Sequence, residues 1–465
     1  MRFARYRLGG RGARLGLGLL AAGALALGGW LADIRLSSPA GAHVPQAVAV
    51  AAVTTTGTDT TTTGTTTTPT GTPPAPRGPS HWVTSWGAAT QGPNPGEPMS
   101  ESGFKDQTLR QTVFLSTGGS EIRVRFSDVF GRRPLKIAQA TVGLQSRGST
   151  IAAGTLRHLS FHGRPSVTIR AGHDRLSDPI RLAVPGLRRL LISVYVPQAT
   201  GPATQQVDSR EISYSARGSR AGQVQGTGYR QQLHNWYFLS AVLTLSPARD
   251  LGSVVALGDS ITAGVGSALG ANANWPDDLA RRLSKLTGAT LSMIDEGIGG
   301  NRVLNDSSCC GISAVSRFAP DVVRQTRVRT VILLEGVNDL GFSQKHDSLS
   351  APHSNVSAAQ VISGYKQIIA QAHAHRLRIL GSTVTPFKGA RFWTPAAEQK
   401  REAINNWILT SGAFNGVIDF ASVLGEPGDS ERLNPGYDSG DHLHPNDSGY
   451  RAMANAIQLN LLFPG

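Results

Sequence analysis

The sequence predicts an antiparallel β-sandwich followed by an α/β domain with a parallel sheet. Between residues 82 and 246, short β-type runs are separated by Gly, Pro, Asp and Ser, and no long helical period interrupts them. From residue 251 onward, apolar strand-like runs alternate with helix-like segments, which is typical of βαβ units with helices on both faces of the sheet. The 465 residues are 40% hydrophobic and include 7 Trp and 14 Phe, so the chain can bury sizeable cores.

The first predicted domain covers residues 81–248 and has the strand spacing of a sandwich or jelly roll. Its runs alternate apolar and polar residues, as expected for strands with one buried face. The clearest of them are Ser120–Phe130, Leu135–Leu144, Pro165–Ile169 and Arg188–Pro197.

The second predicted domain covers residues 251–465. Its strands are expected within 253–259, 291–297, 329–336, 377–386 and 416–421. Helices are expected at Trp275–Leu286, Ala358–Arg376, Pro395–Leu409 and Asp447–Leu462. Because ligands of such sheets bind beyond the carboxyl ends of the strands, polar residues that follow a strand are the candidates for a site.

The N-terminal eighty residues predict export rather than a folded domain. Residues 1–42 combine five early Arg, an apolar run from Leu15 to Ala32 and the small residues Ala40-Gly41-Ala42, which fits a cleaved signal peptide; the run is also close to the length of a membrane anchor. Residues 43–80 are rich in Thr and Pro and predict an extended linker, either a stalk through a cell wall or a plain spacer. We therefore expect a secreted protein, with a membrane contact only through the N-terminal segment if it stays uncleaved.

Charge and cysteine content narrow the function classes. The formal net charge is +14, but the Arg residues are spread along the chain and form no basic stripe with interleaved aromatics, so we expect no nucleic-acid partner. The two cysteines, Cys309 and Cys310, are adjacent. Their Cα atoms lie closer than in an ordinary disulfide, which leaves a vicinal disulfide or two free thiols, and an isolated pair is a poor zinc site.

Three predicted strands end in residues that suit acyl-transfer chemistry. Ser260 follows the first strand in "VVALGDSITAG", which is not a G-x-S-x-G elbow, and taken alone it reads as a helix cap. The second strand leads into "EGIGGNR", where Gly300 offers a backbone N–H, and the third leads into "EGVND", where Asn338 offers an uncharged amide. Taken singly, each fragment favours a turn or a helix cap over a catalytic role.

A fourth segment, "SGDHLHPNDSGY", supplies an acid and a base before the last helix. Asp441 and His444 are three residues apart, so in a turn the carboxylate can hold one imidazole nitrogen while the other faces Ser260. His442 is expected to point away, and Asp438 is a competing orienting acid. We interpret Asp259 and Asp339, the neighbours of Ser260 and Asn338, as hydrogen-bond groups that fix loops.

Together, the blocks "GDSITAG", "GIGGNR", "GVND" and "DHLHP" resemble the SGNH (GDSL-type) esterase/lipase family, in particular its secreted carbohydrate-esterase-like branch with a preceding β-rich module. The resemblance implies a flavodoxin-like three-layer α/β/α fold for residues 251–465. It implies a catalytic triad of Ser260, Asp441 and His444, with an oxyanion hole formed by Ser260, Gly300 and Asn338. "GDSI" replaces the Leu of the name-giving motif.

These features predict a secreted serine esterase that needs no metal or organic cofactor. The first candidate substrate is a short acyl group, such as acetyl, on a polysaccharide, because export, a stalk-like linker and a β-sandwich suit an extracellular polymer. A lipid or lysophospholipid ester is the alternative substrate, and a non-catalytic glycan-binding wall protein is the alternative of another class. The β-sandwich is expected either to bind carbohydrate or to shape the cleft.

Overall fold

The computed structural model describes residues 79–463, which belong to one compact unit of the chain. The predicted export segment, and the predicted linker up to residue 78, lie outside the described residues. Among the helices of residues 79–463, none has both the length and the apolar character needed to cross a membrane.

The region up to residue 246 is a module of antiparallel strands. Its elements are β1 (His81–Gly87), α1 (Pro98–Ser102), β2 (Gln107–Phe114), β3 (Gly119–Ser127), β4 (Leu135–Ile137), β5 (Gln139–Arg147), β6 (Thr150–Ile151), β7 (Arg157–His158), β8 (Val167–Ile169), β9 (Asp174–Leu176), β10 (Ile180–Val184), β11 (Arg189–Val196), β12 (Gln205–Gln206), β13 (Ser213–Arg217), β14 (Gln231–Leu233), β15 (Trp236–Tyr237) and β16 (Leu239–Ser246).

Two antiparallel sheets enclose the core of this module. One sheet has the order β1-β16-β3-β10, with β9 also on β3, and the other has the order β14-β13-β2-β11-β5-β6, with β7 also on β5. Val124 and Val242 of the first sheet and Val113 and Ile192 of the second are fully buried in one apolar cluster. The predicted antiparallel β-rich domain is confirmed. The predicted run 135–144 is two strands, because β4 leaves β5 to pair with β8.

The region from residue 250 is built on a parallel sheet. Its elements are β17 (Asp250–Gly258), α2 (Ser260–Ala263), α3 (Trp275–Ser284), β18 (Thr290–Gly297), α4 (Ala314–Phe318), β19 (Val328–Leu334), α5 (Val337–Gly341), α6 (Ala358–Ala374), β20 (Arg378–Ser382), α7 (Pro395–Thr410), β21 (Gly416–Ile418), α8 (Phe420–Leu424), β22 (Gly425–Glu426), β23 (Asp429–Leu433) and α9 (Asp447–Ala456). Short π or 3₁₀ turns cover 319–323, 342–344, 348–350 and 459–462.

The strand order β18-β17-β19-β20-β21 is the flavodoxin-like order, and all four pairings are parallel. Helices α3, α8 and α9 pack together, as do α4, α6 and α7, and right-handed crossovers place these groups on opposite faces of the sheet. The predicted three-layer α/β/α fold is therefore confirmed.

The C-terminal helix is shorter than predicted. It ends at Ala456 rather than at Leu462, because Ile457 adopts an extended backbone and packs into the core. The Ile457 carbonyl accepts a hydrogen bond from Arg282 Nη1 at 2.8 Å. A 3₁₀ turn at Leu459–Leu462 follows. The strand and helix pattern was correct here, but the end of the helix is set by a distant partner.

The β-rich module covers an edge of the parallel sheet. β18 is an edge strand, and Ser116 Oγ of the module accepts a hydrogen bond from the Met293 N–H at 3.0 Å. Ser292 Oγ donates in return to the Thr84 carbonyl at 2.7 Å. The module thereby satisfies backbone groups that an open edge would leave to solvent or to another chain.

Candidate active site

Ser260 lies at the carboxyl end of β17, where the chain turns into the short helix α2. The strand ends at Gly258, so Ser260 is the first residue of α2 rather than the last of the strand. Asp259 caps this helix by accepting the Ile261 N–H at 2.9 Å. A side chain at Gly258 would collide with Thr262 Oγ1 and the Leu334 carbonyl, so glycine is needed where the turn packs against β19. As the first helical residue, Ser260 has an N–H without an intrahelical acceptor.

His444 and Asp441 complete a hydrogen-bonded chain with Ser260. His444 Nε2 lies 2.8 Å from Ser260 Oγ, and His444 Nδ1 lies 2.6 Å from Asp441 Oδ2. Because a carboxylate accepts but does not donate, the Nδ1 proton points at Asp441 and Nε2 is left to accept the serine proton. The structure thus brings together the three residues that the sequence nominated for the triad.

The loop around Asp441 keeps its carboxylate ionised and oriented. Asp441 Oδ1 accepts the backbone N–H groups of Leu443 at 3.0 Å and His444 at 2.8 Å. Burial raises the pKa of Asp441, but its hydrogen bond to the His444 side chain, the charge of that side chain and the two N–H donors outweigh burial and hold the pKa well below its ordinary value. The acid is therefore a fixed negative partner for the imidazole.

The competing pair, Asp438 and His442, forms a second acid–imidazole contact of its own. His442 Nδ1 lies 2.7 Å from Asp438 Oδ2, and Asp438 Oδ1 accepts the His442 N–H at 3.0 Å. The His442 side chain is 46% exposed and lies over Gly389. His442 points away from Asp441, as expected, and Asp438 orients His442 instead of His444.

Gly300 lies three residues after the end of β18, and Asn338 lies four residues after the end of β19. Gly300 has a φ of +75°, and a Cβ there would lie 2.5 Å from Cys310 Sγ, so the position requires glycine. Within residues 79–463 its N–H meets no protein acceptor. Asn338 is buried on α5 and uses one amide proton on the Asn301 carbonyl at 3.0 Å, which leaves the second free.

The two acidic neighbours hold loops in place. Asp339 is buried and accepts the backbone N–H groups of Val303 at 2.7 Å and Leu304 at 3.2 Å. Burial raises the pKa of Asp339 to about 7 and that of Asp259 to about 6, with the backbone hydrogen bonds opposing the rise. These contacts agree with the interpretation of both residues as loop-fixing groups.

The adjacent cysteines form a disulfide, which decides between the two alternatives left by the sequence. Cys310 Sγ lies against Gly300, and the Asn301 amide donates to the Cys310 carbonyl at 2.7 Å. The disulfide therefore lies directly beside the glycine proposed to bind the oxyanion.

One cluster of carboxylates in the described part of the chain has the spacing of a metal site, formed by Glu398, Glu402 and Glu431. Glu398 is already paired with Arg401, and Glu431 lies 3.1 Å from Lys388 Nζ. These cations account for the cluster without an ion.

Two residues that support the ends of β17, β18 and β19 were not predicted from the sequence. Arg317 on α4 is 1% exposed and bonds to groups around all three of them, and Gln206 of the β-rich module donates to the Gly297 carbonyl at 2.9 Å. No short motif marks either residue, since an Arg on a helix and a Gln in a two-residue strand usually face solvent. Only the tertiary contacts reveal them.

The Ser–His–Asp arrangement at the carboxyl edge of this sheet has the geometry that serine hydrolases use. Residues 256–452 match the model of the GDSL-like lipase/acylhydrolase family. The α/β domain belongs to this family, and the protein is a carboxylic ester hydrolase.

Solved structures similar to this chain cover less than half of it. A GDSL-like lipase from Bacteroides thetaiotaomicron is 20% identical, with a TM-score of 0.33, over 45% of this chain and 87% of its own. The acetyl xylan esterase AlAXEase is 20% identical, with a TM-score of 0.32, over 44% and 96%. The aryl esterase of M. smegmatis is 15% identical, with a TM-score of 0.36, over 45% and 99%. No curated protein matches the chain.

Proposed function

We propose that this protein is an exported serine esterase that removes short acyl groups, such as acetyl, from a polysaccharide through an acyl-enzyme. The observation that carries the mechanism is the hydrogen-bonded chain Ser260–His444–Asp441, with distances of 2.8 Å and 2.6 Å. A nucleophile, a base with a free nitrogen and an orienting acid are the three components that this chemistry needs.

In the first step, His444 Nε2 takes the proton of Ser260 Oγ while the oxygen attacks the ester carbonyl carbon. The resulting oxyanion is stabilised by the N–H groups of Ser260 and Gly300 and by the free amide proton of Asn338. Protonated His444 then donates to the leaving alcohol, and the acyl group stays on Ser260. Water, activated by the same imidazole, releases the acid in the second step.

The proposed substrate class rests on the solvent exposure of the site and on the predicted export of the protein. Although the Ser260 side chain is largely buried, the neighbouring Asp441 and His442 side chains are 42% and 46% exposed, so one wall of the site faces solvent. An open wall suits a small acyl group carried by a bulky alcohol such as a polymer. The basic, apolar N-terminus and the Thr/Pro-rich segment would deliver the enzyme to an extracellular polymer.

The test is hydrolysis of p-nitrophenyl acetate by the wild type and by Ser260→Ala, His444→Ala and His442→Ala. We expect Ser260→Ala and His444→Ala to lose activity and His442→Ala to keep most of it. A wild type inactive on every short ester would favour a non-catalytic binding protein. Loss with His442→Ala but not with His444→Ala would reassign the base.

The substrate class needs a second measurement. A series of p-nitrophenyl esters of increasing acyl length should give the highest kcat/KM at acetyl, and acetylated xylan should release acetate. A preference for long acyl chains or for lysophospholipid would overturn the polysaccharide proposal and leave the esterase mechanism intact. Fractionation of the producing cells, with and without residues 1–42, tests export.

A further inference from the structure

Arg317 is a buried arginine whose five N–H donors all have acceptors. Nε donates to Asn301 Oδ1 at 2.8 Å. Nη1 donates to the Glu296 carbonyl at 2.7 Å and to Asp321 Oδ2 at 2.9 Å. Nη2 donates to the Gly258 carbonyl at 2.7 Å and to Glu335 Oε1 at 3.2 Å. A guanidinium has five donors in a rigid plane, so this site uses its complete capacity.

The acceptors come from the ends of three neighbouring strands. Gly258 is the last residue of β17 and lies two residues before Ser260. Glu296 is near the end of β18, which leads to Gly300, and Glu335 follows β19, which leads to Asn338. One planar group therefore fixes the spacing between the strand that carries the nucleophile and the two that carry the proposed oxyanion donors.

Asn301 extends this connection to the oxyanion donors themselves. Its side chain accepts from Arg317 Nε and donates to the carbonyls of Cys310 at 2.7 Å and Ile312 at 2.9 Å. Its backbone carbonyl accepts the Asn338 amide at 3.0 Å, and its backbone N–H directly follows Gly300. A change in the position of Asn301 would thus move Gly300 and Asn338 together.

A lysine could not replace this arginine. Its ammonium has three donors on a flexible stem and cannot reach five acceptors spread around a plane. The charge partners of Arg317 are Asp321 and Glu335 at the distances above, and all three groups are buried. Burial and the charge of Asp259 raise the pKa of Glu335 well above its usual range, and Arg317 opposes that rise.

We infer that Arg317 is a positioning residue of the active site, which holds Ser260, Gly300 and Asn338 in the relative placement that oxyanion stabilisation requires. This inference rests on the proposed function. Arg317 does not touch the substrate; it acts through the Gly258 and Glu296 carbonyls and through Asn301. Loss of the Arg317 guanidinium should misplace the oxyanion donors while the Ser260–His444 contact persists.

The experiment compares Arg317→Lys and Asn301→Leu with the control Gln325→Ala. Gln325 is also buried and donates to the Glu296 carboxylate at 2.7 Å, but it contacts neither a strand-end carbonyl nor Asn301.

Active sites are counted by titration with a phosphonate, and the melting temperature is measured for each variant. We expect both test variants to lose about 10²-fold in kcat per titrated site with little change in KM, since one misplaced oxyanion donor costs that much. The control should lose stability but keep kcat.

A boronic acid adds a readout that a purely structural role would not change. Its tetrahedral adduct on Ser260 carries an oxyanion-like oxygen, so its Ki should rise in proportion to the loss of kcat/KM. If Arg317→Lys does not fold, Asn301→Leu decides the question: it removes one of the five Arg317 bonds together with the two bonds that Asn301 donates to the Cys310 and Ile312 carbonyls. Unchanged kcat per titrated site in the folded test variants, or an equal loss in Gln325→Ala, would overturn the inference.

The outcomes separate this inference from the proposed function. A wild type with no esterase activity, or activity that survives Ser260→Ala, contradicts the function itself. An active wild type, an inactive Ser260→Ala variant and a fully active Arg317→Lys variant contradict only the role of Arg317.

Discussion

The substitution Asp441→Asn should almost abolish hydrolysis by changing the tautomer of His444. In the wild type, Asp441 Oδ1 accepts two backbone N–H groups and Oδ2 faces His444 Nδ1 at 2.6 Å. The two backbone donors orient the introduced amide, because its NH₂ group cannot face them. The NH₂ group therefore points at Nδ1, which must become an acceptor, and the ring proton moves to Nε2.

The cost follows from that tautomer. With a proton on Nε2, His444 no longer accepts from Ser260 Oγ, although the 2.8 Å contact can persist with the donor reversed. A wrong tautomer of this kind lowers kcat by about 10⁴ in the triad of serine proteases. That factor corresponds to about 5.4 kcal/mol of transition-state stabilisation. The assay is kcat for p-nitrophenyl acetate at pH 8, with sites counted by phosphonate titration.

The chain offers a closely matched control in Asp438→Asn. Asp438 Oδ1 also accepts two backbone N–H groups, those of Gly440 at 2.8 Å and His442 at 3.0 Å, and its Oδ2 faces His442 Nδ1. The same tautomer change should therefore occur in His442, which has no contact with Ser260. We expect kcat of this variant to stay within about tenfold of the wild type, far from the 10⁴ expected for a triad acid. A large loss with Asp438→Asn and a small one with Asp441→Asn would refute the reasoning.

Three further substitutions test other parts of the structure. Gly300→Ala should lower kcat by about 10²–10³ because its φ is +75° and a Cβ would strike Cys310 Sγ, whereas Gly299→Ala, where a Cβ meets nothing within 4 Å, should leave kcat near that of the wild type; equal losses would remove the special role of Gly300. Burial raises the pKa of Asp128 to about 7, above the unfolded value of about 3.9, so its neutral form favours folding at low pH and that advantage is lost as pH rises through 7. The melting temperature of Asp128→Asn, relative to that of the wild type, should therefore be higher at pH 8 than at pH 5, and an equal difference at both pH values would contradict this. Gln206→Ala removes the bond to the Gly297 carbonyl, so on p-nitrophenyl acetate kcat should fall while KM changes less. An unchanged kcat would mean that the module does not support the site.

The sequence predicted the fold well because its signal is periodic and local. Strands such as β11 and β17 and helices such as α6 each bury a face that their own residues define. The same holds for the candidate site, since the ends of parallel strands lie at one edge of the sheet whatever their distance along the chain. Ser260, Gly300 and Asn338 could therefore be assigned to one edge from the sequence alone.

What could not be predicted depends on partners far away in sequence. The segment "SAVSRFAPDVV" gives no sign that Arg317 is buried, because its acceptors lie at residues 258, 296, 301 and 335. The end of α9 is similar, since Ile457 leaves the helix to meet Arg282. Local propensity describes neither case, because contacts between distant segments decide both.

The contacts of the β-rich module favour cleft shaping over a purely separate binding function. Gln206 donates to the Gly297 carbonyl at 2.9 Å, three residues before Gly300. Gln91 and Asn94 donate to the Cys309 carbonyl at 3.3 Å and 3.4 Å, beside the disulfide that packs on Gly300. A module that only tethered a polymer would not need side-chain amides on the loop that carries a proposed oxyanion donor. These amides hold that loop from the module while Arg317 holds it through Asn301, so the geometry of the proposed oxyanion hole depends on both domains.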